Sequence, residues 1–289
     1  MSSNNLLEKV KQLREITGVG FKDCKNAIDE NDGNIEKSID YLRKKGIAKA
    51  NKRMERVAAE GLICIGEENN KFSMIEINSE TDFVGKNNEF IEFGVELSKI
   101  VLTKSGLMKD VLNSEMKNKK TVNNSLIDLI AKIGEKITLR RVSYFGNDKI
   151  YNFSYVHSSI QTNVGKLGVL LSIETNKPKD DIMSFGKQLA MHIAASAPLS
   201  LDKKDLDSNI LKKEEEIITE ELKNTGKDSN IISKIAIGKL NKFINDNTLL
   251  NQEWIMEPKK KVKDIIKEIA GNDKIIIKEF KRFKVGEGV

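Results

Sequence analysis

Histidine and cysteine are scarce, with two of each among 289 residues, and that scarcity removes most enzyme chemistries from view. Neither His157 nor His192 is accompanied by a recognisable triad or metal motif, whereas catalysis needs a convergent set of groups. Cys24 and Cys64 form no CxxC pair, and a metal site needs more ligands than these. Both read as reduced core residues of a cytosolic protein. Neither a GxxxxGK[ST] phosphate loop nor a GxGxxG turn is present, so the chain does not read as a nucleotide hydrolase. Aromatics are only 6% of residues, which argues against a base-stacking surface. A net charge of +6 is too weak to imply nucleic acid without a concentrated basic patch. No apolar run approaches the roughly 18 residues of a membrane span, and the first residues lack the apolar region of a signal peptide. The expectation is a soluble, cytoplasmic chain. It should be no enzyme, with no cofactor, no metal, no direct nucleic-acid contact and no membrane segment.

What is present is a change of period along the chain. Residues 4–46 carry apolar side chains at helical spacing in three short runs: Leu6, Val10 and Leu13; Phe21, Cys24 and Ile28; Ile35, Ile39 and Leu42. Thr17-Gly18-Val19-Gly20 and Asp32-Gly33 separate them, Asn34 is placed to cap the third, and that helix should end near Gly46. A basic stretch follows, with Arg43, Lys44, Lys45, Lys49, Lys52, Arg53 and Arg56. It is either a linker that meets an acidic partner or a solvated helix. From Val57 the pattern turns β-like. Leu62–Ile65 and Phe72–Ile77 flank a polar Glu67–Lys71 turn, a hairpin. A helix is predicted over Glu89–Leu102, another around Leu126–Ile133 with Gly134 as its stop, and a strand over Ile137–Phe145.

The second half repeats this plan faintly. Leu170-Leu171-Ser172-Ile173-Glu174-Thr175-Asn176 echoes the run from Met74, and a helix follows each. Helix Val262–Ala270 and strand Lys274–Val285 echo Leu126–Gly134 and Lys136–Phe145. Residues 208–245 interrupt the copy with two apolar stripes, Leu211, Ile218 and Leu222, then Ile232, Ile235, Leu240 and Phe243, split at Thr225-Gly226. That predicts a projecting antiparallel helical hairpin. Its seams suit either self-packing alone or association with a second chain, as a homodimer or a 2:2 complex. The expected architecture is α+β: a three-helix module at 1–46, a basic linker at 47–56, one core subdomain at 57–145, and a related one at 146–207 and 246–289 with 208–245 inserted.

The connection Ser79-Glu80-Thr81-Asp82-Phe83-Val84-Gly85-Lys86-Asn87-Asn88 joins a strand to a helix, a surface position that commonly carries function. Two readings of it stand. In one, Asp82 caps the helix or turns the loop and Phe83 folds back into the core. In the other, a carboxylate and an aromatic ring are presented outward.

The run Ile77-Asn78-Ser79-Glu80-Thr81-Asp82-Phe83-Val84 resembles the functional loop of the elongation factor Ts family. The resemblance extends in order along nearly the whole chain. It takes in Gly18-Val19-Gly20-Phe21 and Gly33-Asn34-Ile35 of a ubiquitin-associated (UBA)-like module, Val57-Ala58-Ala59-Glu60-Gly61, and Lys132-Ile133-Gly134-Glu135. It continues through Arg140-Arg141, His192-Ile193-Ala194-Ala195, Met256-Glu257-Pro258, and the run from Arg282 to Gly288. Ser79 and Gly85 depart from the family's frequent Cys and Ala. Some members continue into a further helix that touches elongation factor Tu (EF-Tu), and that contact is not among the expectations here. The resemblance implies a factor that binds EF-Tu, GDP-bound or nucleotide-free, and promotes GDP release by disturbing its Mg²⁺ and phosphate site. Phe83 would be the wedge, with Asp82 supporting it and Thr81 and Val84 framing the pair. Lys25, Lys52, Ile133, Gly134 and His192 would be further EF-Tu contacts. The alternative is a non-enzymatic adaptor whose N-terminal module binds a helical or ubiquitin-like partner.

Overall fold

Asn34, Asn87 and Thr121 each stand one residue ahead of a helix and accept backbone N–H groups there, those of Lys37, of Glu89 and Phe90, and of Asn124. The computed structural model describes residues 3–53, 55–147, 150–223 and 228–289. Three helices come first: α1 (Ser3–Thr17), α2 (Phe21–Glu30) and α3 (Ile35–Arg53). Val10, Leu13, Cys24, Ala27, Ile28 and Leu42 form their own small core. The third helix does not end near Gly46. Gly46 sits against Ala131, and Ala50 is buried in the next core, so tertiary packing carries the helix through the basic stretch to Arg53. Residues 47–53 are therefore the end of a docked helix.

Then come β1 (Glu60–Glu68), β2 (Lys71–Ser79), α4 (Asn88–Thr103), α5 (Met108–Asn113), α6 (Val122–Ile133) and β3 (Ile137–Phe145). The hairpin turns on Asn69 and Asn70, both at positive φ (47° and 63°), as a two-residue turn that keeps the strands' twist requires. Phe90, Phe93, Leu97 and Val101 put one face of α4 on this sheet. The short helix α5 lies inside a stretch whose polarity hides it, with Val111 as its one buried side chain.

The second half supplies β4 (Tyr151–His157), β5 (Val164–Gly165), β6 (Leu167–Thr175), α7 (Lys179–Ser196), α8 (Ser208–Lys223), α9 (Ser229–Asn247), β7 (Glu253–Trp254), β8 (Glu257–Lys261), α10 (Val262–Ala270) and β9 (Ile275–Lys284). The fold is α+β. The two larger sheets run β3-β2-β1-β5 and β4-β6-β9, beside a two-stranded β7-β8 pair, so β1, β2 and β3 correspond to β4, β6 and β9. The internal echo reaches fine detail. The β2–β3 ladder shifts register between Glu76 and Ile77, and the β6–β9 ladder shifts between Ser172 and Ile173, the matching position. The sheets meet through Ile63, Ile65, Phe72 and Met74 on one side and Leu170 and Phe283 on the other.

The helical pair α8–α9 leaves and rejoins the core at one stitched point. Leu199 N–H donates to Asn247, and the N–H groups of Leu249 and Leu250 donate to Ser200 and Leu201. Ile218, Leu222 and Ile244 are buried, while Ile210, Ile217, Ile231 and Ile237 are exposed. The Thr225-Gly226 break lies outside the described residues. Among the described residues, no helix is long and apolar enough to cross a membrane.

Candidate functional site

Strand β2 ends at Ser79, and α4 begins only at Asn88, so the intervening loop must be held by side chains. Ser79 Oγ donates to the Thr81 carbonyl at 2.9 Å. The Thr81 N–H donates to Glu135 Oε2 at 2.9 Å, and the Thr81 hydroxyl to Oε1 at 2.7 Å. In return the Lys136 N–H donates to Glu80 Oε1 at 2.6 Å. Arg56 Nη1 donates to both Glu80 oxygens, and Lys136 Nζ reaches the Arg56 carbonyl at 2.6 Å. Desolvation would raise the Glu80 carboxyl, but the Lys136 N–H and Arg56 outweigh it and hold the carboxyl below its usual range.

Past Thr81 the chain enters a single 3₁₀ turn over Val84–Lys86. Val84 points inward and joins the core beneath α4, whereas the Phe83 ring is 75% exposed. Asn87 caps α4, so Asp82 is free of that duty. Asp82 Oδ2 instead lies 3.5 Å from Lys86 Nζ, and that ammonium sits 5.8 Å from the centre of the Phe83 ring. Asp82 and Phe83 are thus both presented outward, and Val84 is the residue that the core claims.

Beside this loop stands the C-terminus of α6. Gly134 adopts φ 90°, the left-handed cap that a side chain would strain, and returns its N–H to the Ile130 carbonyl. The same carbonyl accepts Arg53 Nη1 at 2.9 Å. Thr81, Asp82, Phe83, Val84, Ile133 and Gly134 therefore share one end of the first half. Lys25 is exposed on α2. Lys52 falls in the last turn of α3, with its side chain outside the described residues.

His192 is different. Its side chain is fully buried, so the expectation that its ring meets a partner directly is corrected. The ring stacks on Trp254 with centroids 5.2 Å apart. Gln252 Nε2 donates to the Ser196 and Asp246 carbonyls, which fixes its Oε1 as acceptor for His192 Nε2–H at 3.0 Å. His192 Nδ1 then accepts the Ile255 N–H at 3.4 Å. Burial lowers the imidazole's pKa and the Gln252 bond only partly offsets this, so the ring is a neutral strut. What it holds is the turn between β7 and β8, where Ile255 and Met256 are 38% and 42% exposed. Met256 enters the sequence reading only through the resemblance of Met256-Glu257-Pro258, because the strands on either side of this tip are two and five residues long. The available signal was the chain's one tryptophan beside two large apolar residues.

Among the described residues, no three His, Cys, Asp or Glu side chains are grouped as metal ligands would be. Burial pushes the Cys64 thiol up to about 12, and it packs in the core as an inert side chain.

The family model described as Elongation factor TS matches residues 80–287. A protein of Bartonella henselae named Elongation factor Ts is 41% identical over 286 residues, covering 97% of this chain and 92% of that protein. Its namesake in Methylorubrum populi is 39% identical over 283 residues, with the same coverage. Matched from the Thr81–Val84 loop to the final turn, and related at this level over almost its entire length, the chain belongs to the elongation factor Ts family.

Proposed function

We propose that this translation elongation factor binds EF-Tu·GDP and releases the nucleotide by disturbing the Mg²⁺ and phosphate site, so that GTP can rebind. One observation carries the reading: the Phe83 ring stands exposed on a loop whose backbone is clamped from both sides. In a P-loop GTPase, backbone amides and a lysine hold the phosphates and Mg²⁺ bridges their oxygens. A protein partner loosens that arrangement only by binding the loosened state better than the closed one. Linkage makes the effect mutual: the factor weakens GDP binding as much as GDP weakens the factor's binding. A fixed aromatic ring suits this role, because it fills space that exists only in the open state. Asp82 adds a negative charge beside it, and the Ile133–Gly134 turn widens the same contact. Lys25 and Lys52 serve docking of the N-terminal module, and His192 acts through the Ile255–Met256 tip. No covalent bond changes, so the factor is not an enzyme of chemical conversion.

Mixing the protein with EF-Tu loaded with fluorescent GDP tests the proposal. Catalytic amounts should accelerate GDP release, and an unchanged rate at saturating factor would remove the reading. The α8–α9 hairpin, with Ile231 and Ile237 exposed, is assigned to association with a second chain. Joining Asp207 to Asp246 by a short Gly/Ser turn should preserve most of the stimulated release and shift any dimer seen by sedimentation to monomer. Loss of all release from a variant with unchanged circular dichroism would place the hairpin in the exchange site.

A further inference from the structure

We infer that Glu135 is a positioning residue for nucleotide exchange: with Glu80 it extends the β2–β3 ladder through side chains and so fixes the Phe83 loop to the Gly134 turn. The inference rests on the exchange reading above.

The backbone ladder of β2 and β3 has its last pair at Ser79 and Ile137. The next two antiparallel pairs would be Glu80 with Lys136 and Thr81 with Glu135. Those are the pairs that the carboxylates make. Glu80 accepts the Lys136 N–H, and Glu135 accepts both the N–H and the hydroxyl of Thr81. The main chains have begun to diverge here, because one turns toward Val84 and the other rises into the cap of α6, and a carboxylate spans the gap. Arg56 brings a third segment into the clasp, since it binds Glu80 and lends its carbonyl to Lys136 Nζ.

The consequence is mechanical. A loop with an exposed aromatic ring and no backbone ladder would lose freedom on binding, and that loss opposes association. Reaction geometry is sensitive to small displacements, and a misplacement of about 1 Å can cost on the order of a hundredfold in rate. The clasp is only half-buried, and charge pairs at such positions contribute little to global stability. Its effect should therefore appear in exchange more than in melting.

The test compares Glu135→Ala, Glu135→Gln, Thr81→Val, Phe83→Ala and the Phe83→Ala/Glu135→Ala double variant of the full chain. Readouts are release of fluorescent GDP from EF-Tu, amide hydrogen exchange over 80–84, and thermal unfolding. Glu135→Ala should lose on the order of tenfold in kcat/KM, with faster amide exchange in the loop and an unchanged melt. Glu135→Gln should recover most of that loss, because its carbonyl can accept the Thr81 N–H while its amide donates to the hydroxyl. Thr81→Val should shift release in the same direction by less, and it keeps the comparison open if Glu135→Ala does not fold. In the Phe83→Ala background, Glu135→Ala should add little, since there is no ring left to place. Parent-like release by both Glu135→Ala and Thr81→Val, with Phe83→Ala impaired, overturns the positioning role. So does an undiminished Glu135→Ala effect in the Phe83→Ala background. Parent-like release by Phe83→Ala instead defeats the wedge itself, and the two failures are told apart by that control.

Discussion

Phe83→Ala should release GDP from EF-Tu about thirtyfold less efficiently than the parent, because central aromatic anchors are commonly worth about 2 kcal/mol. Its melting should barely change. The ring is 75% exposed, and substitutions at such positions usually alter stability by no more than about 0.5 kcal/mol. A buried phenylalanine would behave oppositely, costing about 3–5 kcal/mol on truncation to alanine. On the proposed mechanism the loss should fall in the step that opens the nucleotide site, where the ring would make its contacts. Asp82→Ala should act in the same direction. The double variant should be less than additive, because the neighbours serve one contact and share Lys86, which lies 3.5 Å from the carboxylate and 5.8 Å from the ring centre. GDP release at several factor concentrations, beside thermal unfolding of each variant, measures both quantities. A Phe83→Ala protein that melts far lower yet exchanges normally where it is folded would place the ring's role in stability and remove the wedge.

The elements with strong periodicity were legible in the sequence. Val262–Ala270 and Ile137–Phe145 are found where their spacing predicts them, and the echo between Met74–Thr81 and Leu170–Asn176 reports two equivalent strands with a shared bulge. Local pattern failed where tertiary packing overrides it. Gly46 reads as a helix stop, yet contact with Ala131 carries α3 onward. The strand β4 was legible and went unread: Tyr151-Asn152-Phe153-Ser154-Tyr155 alternates aromatic and polar residues, a strand signature, although it lacks the aliphatic run that marked β6. At the site, the loop itself was legible, but its inside and outside were not. Nothing in the order Asp82-Phe83-Val84 says that valine takes the core position and phenylalanine the surface. The clasp was invisible for a plainer reason. Its partners are 54 and 56 residues apart, and no local rule joins them. His192 shows the same limit from the other side, since its burial depends on Trp254 and Gln252, some sixty residues away.

Replacing Glu76 should produce the largest loss of stability of any single carboxylate discussed here. The side chain is fully buried on the face of β2 that carries Phe72 and Met74 toward the second sheet. The register shift after Glu76 makes Arg140 the extra residue of β3, and a bulge of this kind re-aims side chains. Two consecutive arginines therefore reach one carboxylate: Arg140 Nη1 at 3.1 Å on Oε1, and Arg141 Nε on Oε2. Asn78 Nδ2 and the Gly286 N–H also donate to Oε1, at 3.1 and 3.0 Å. Arg140 and Arg141 go on to the carbonyls of Glu287 and Lys284, so Glu76 ties the last residues of the described chain to the first sheet. Burial would raise the Glu76 carboxyl, but the Gly286 N–H, Asn78 and Arg141 outweigh it and leave its pKa below the ordinary value of 4.5. In the unfolded chain the group takes up a proton near that ordinary value, and in the folded chain only below it. Its stabilisation is thus complete above pH 4.5 and is lost as pH falls through the folded-state value. Glu76→Ala should cost about 3 kcal/mol near neutral pH, toward the lower end for a broken buried pair because both guanidinium groups keep some solvent. Glu76→Gln should cost less, as its carbonyl still accepts, and should flatten the acid limb of stability. Glu80 and Glu174, whose pKa values are also lowered, should leave a residual slope. Denaturant unfolding at steps from about pH 6 to about pH 3 reads both effects. A Glu76→Gln protein with the parent's stability and the parent's acid slope would mean that the buried carboxylate is no more than a neutral hydrogen-bond acceptor.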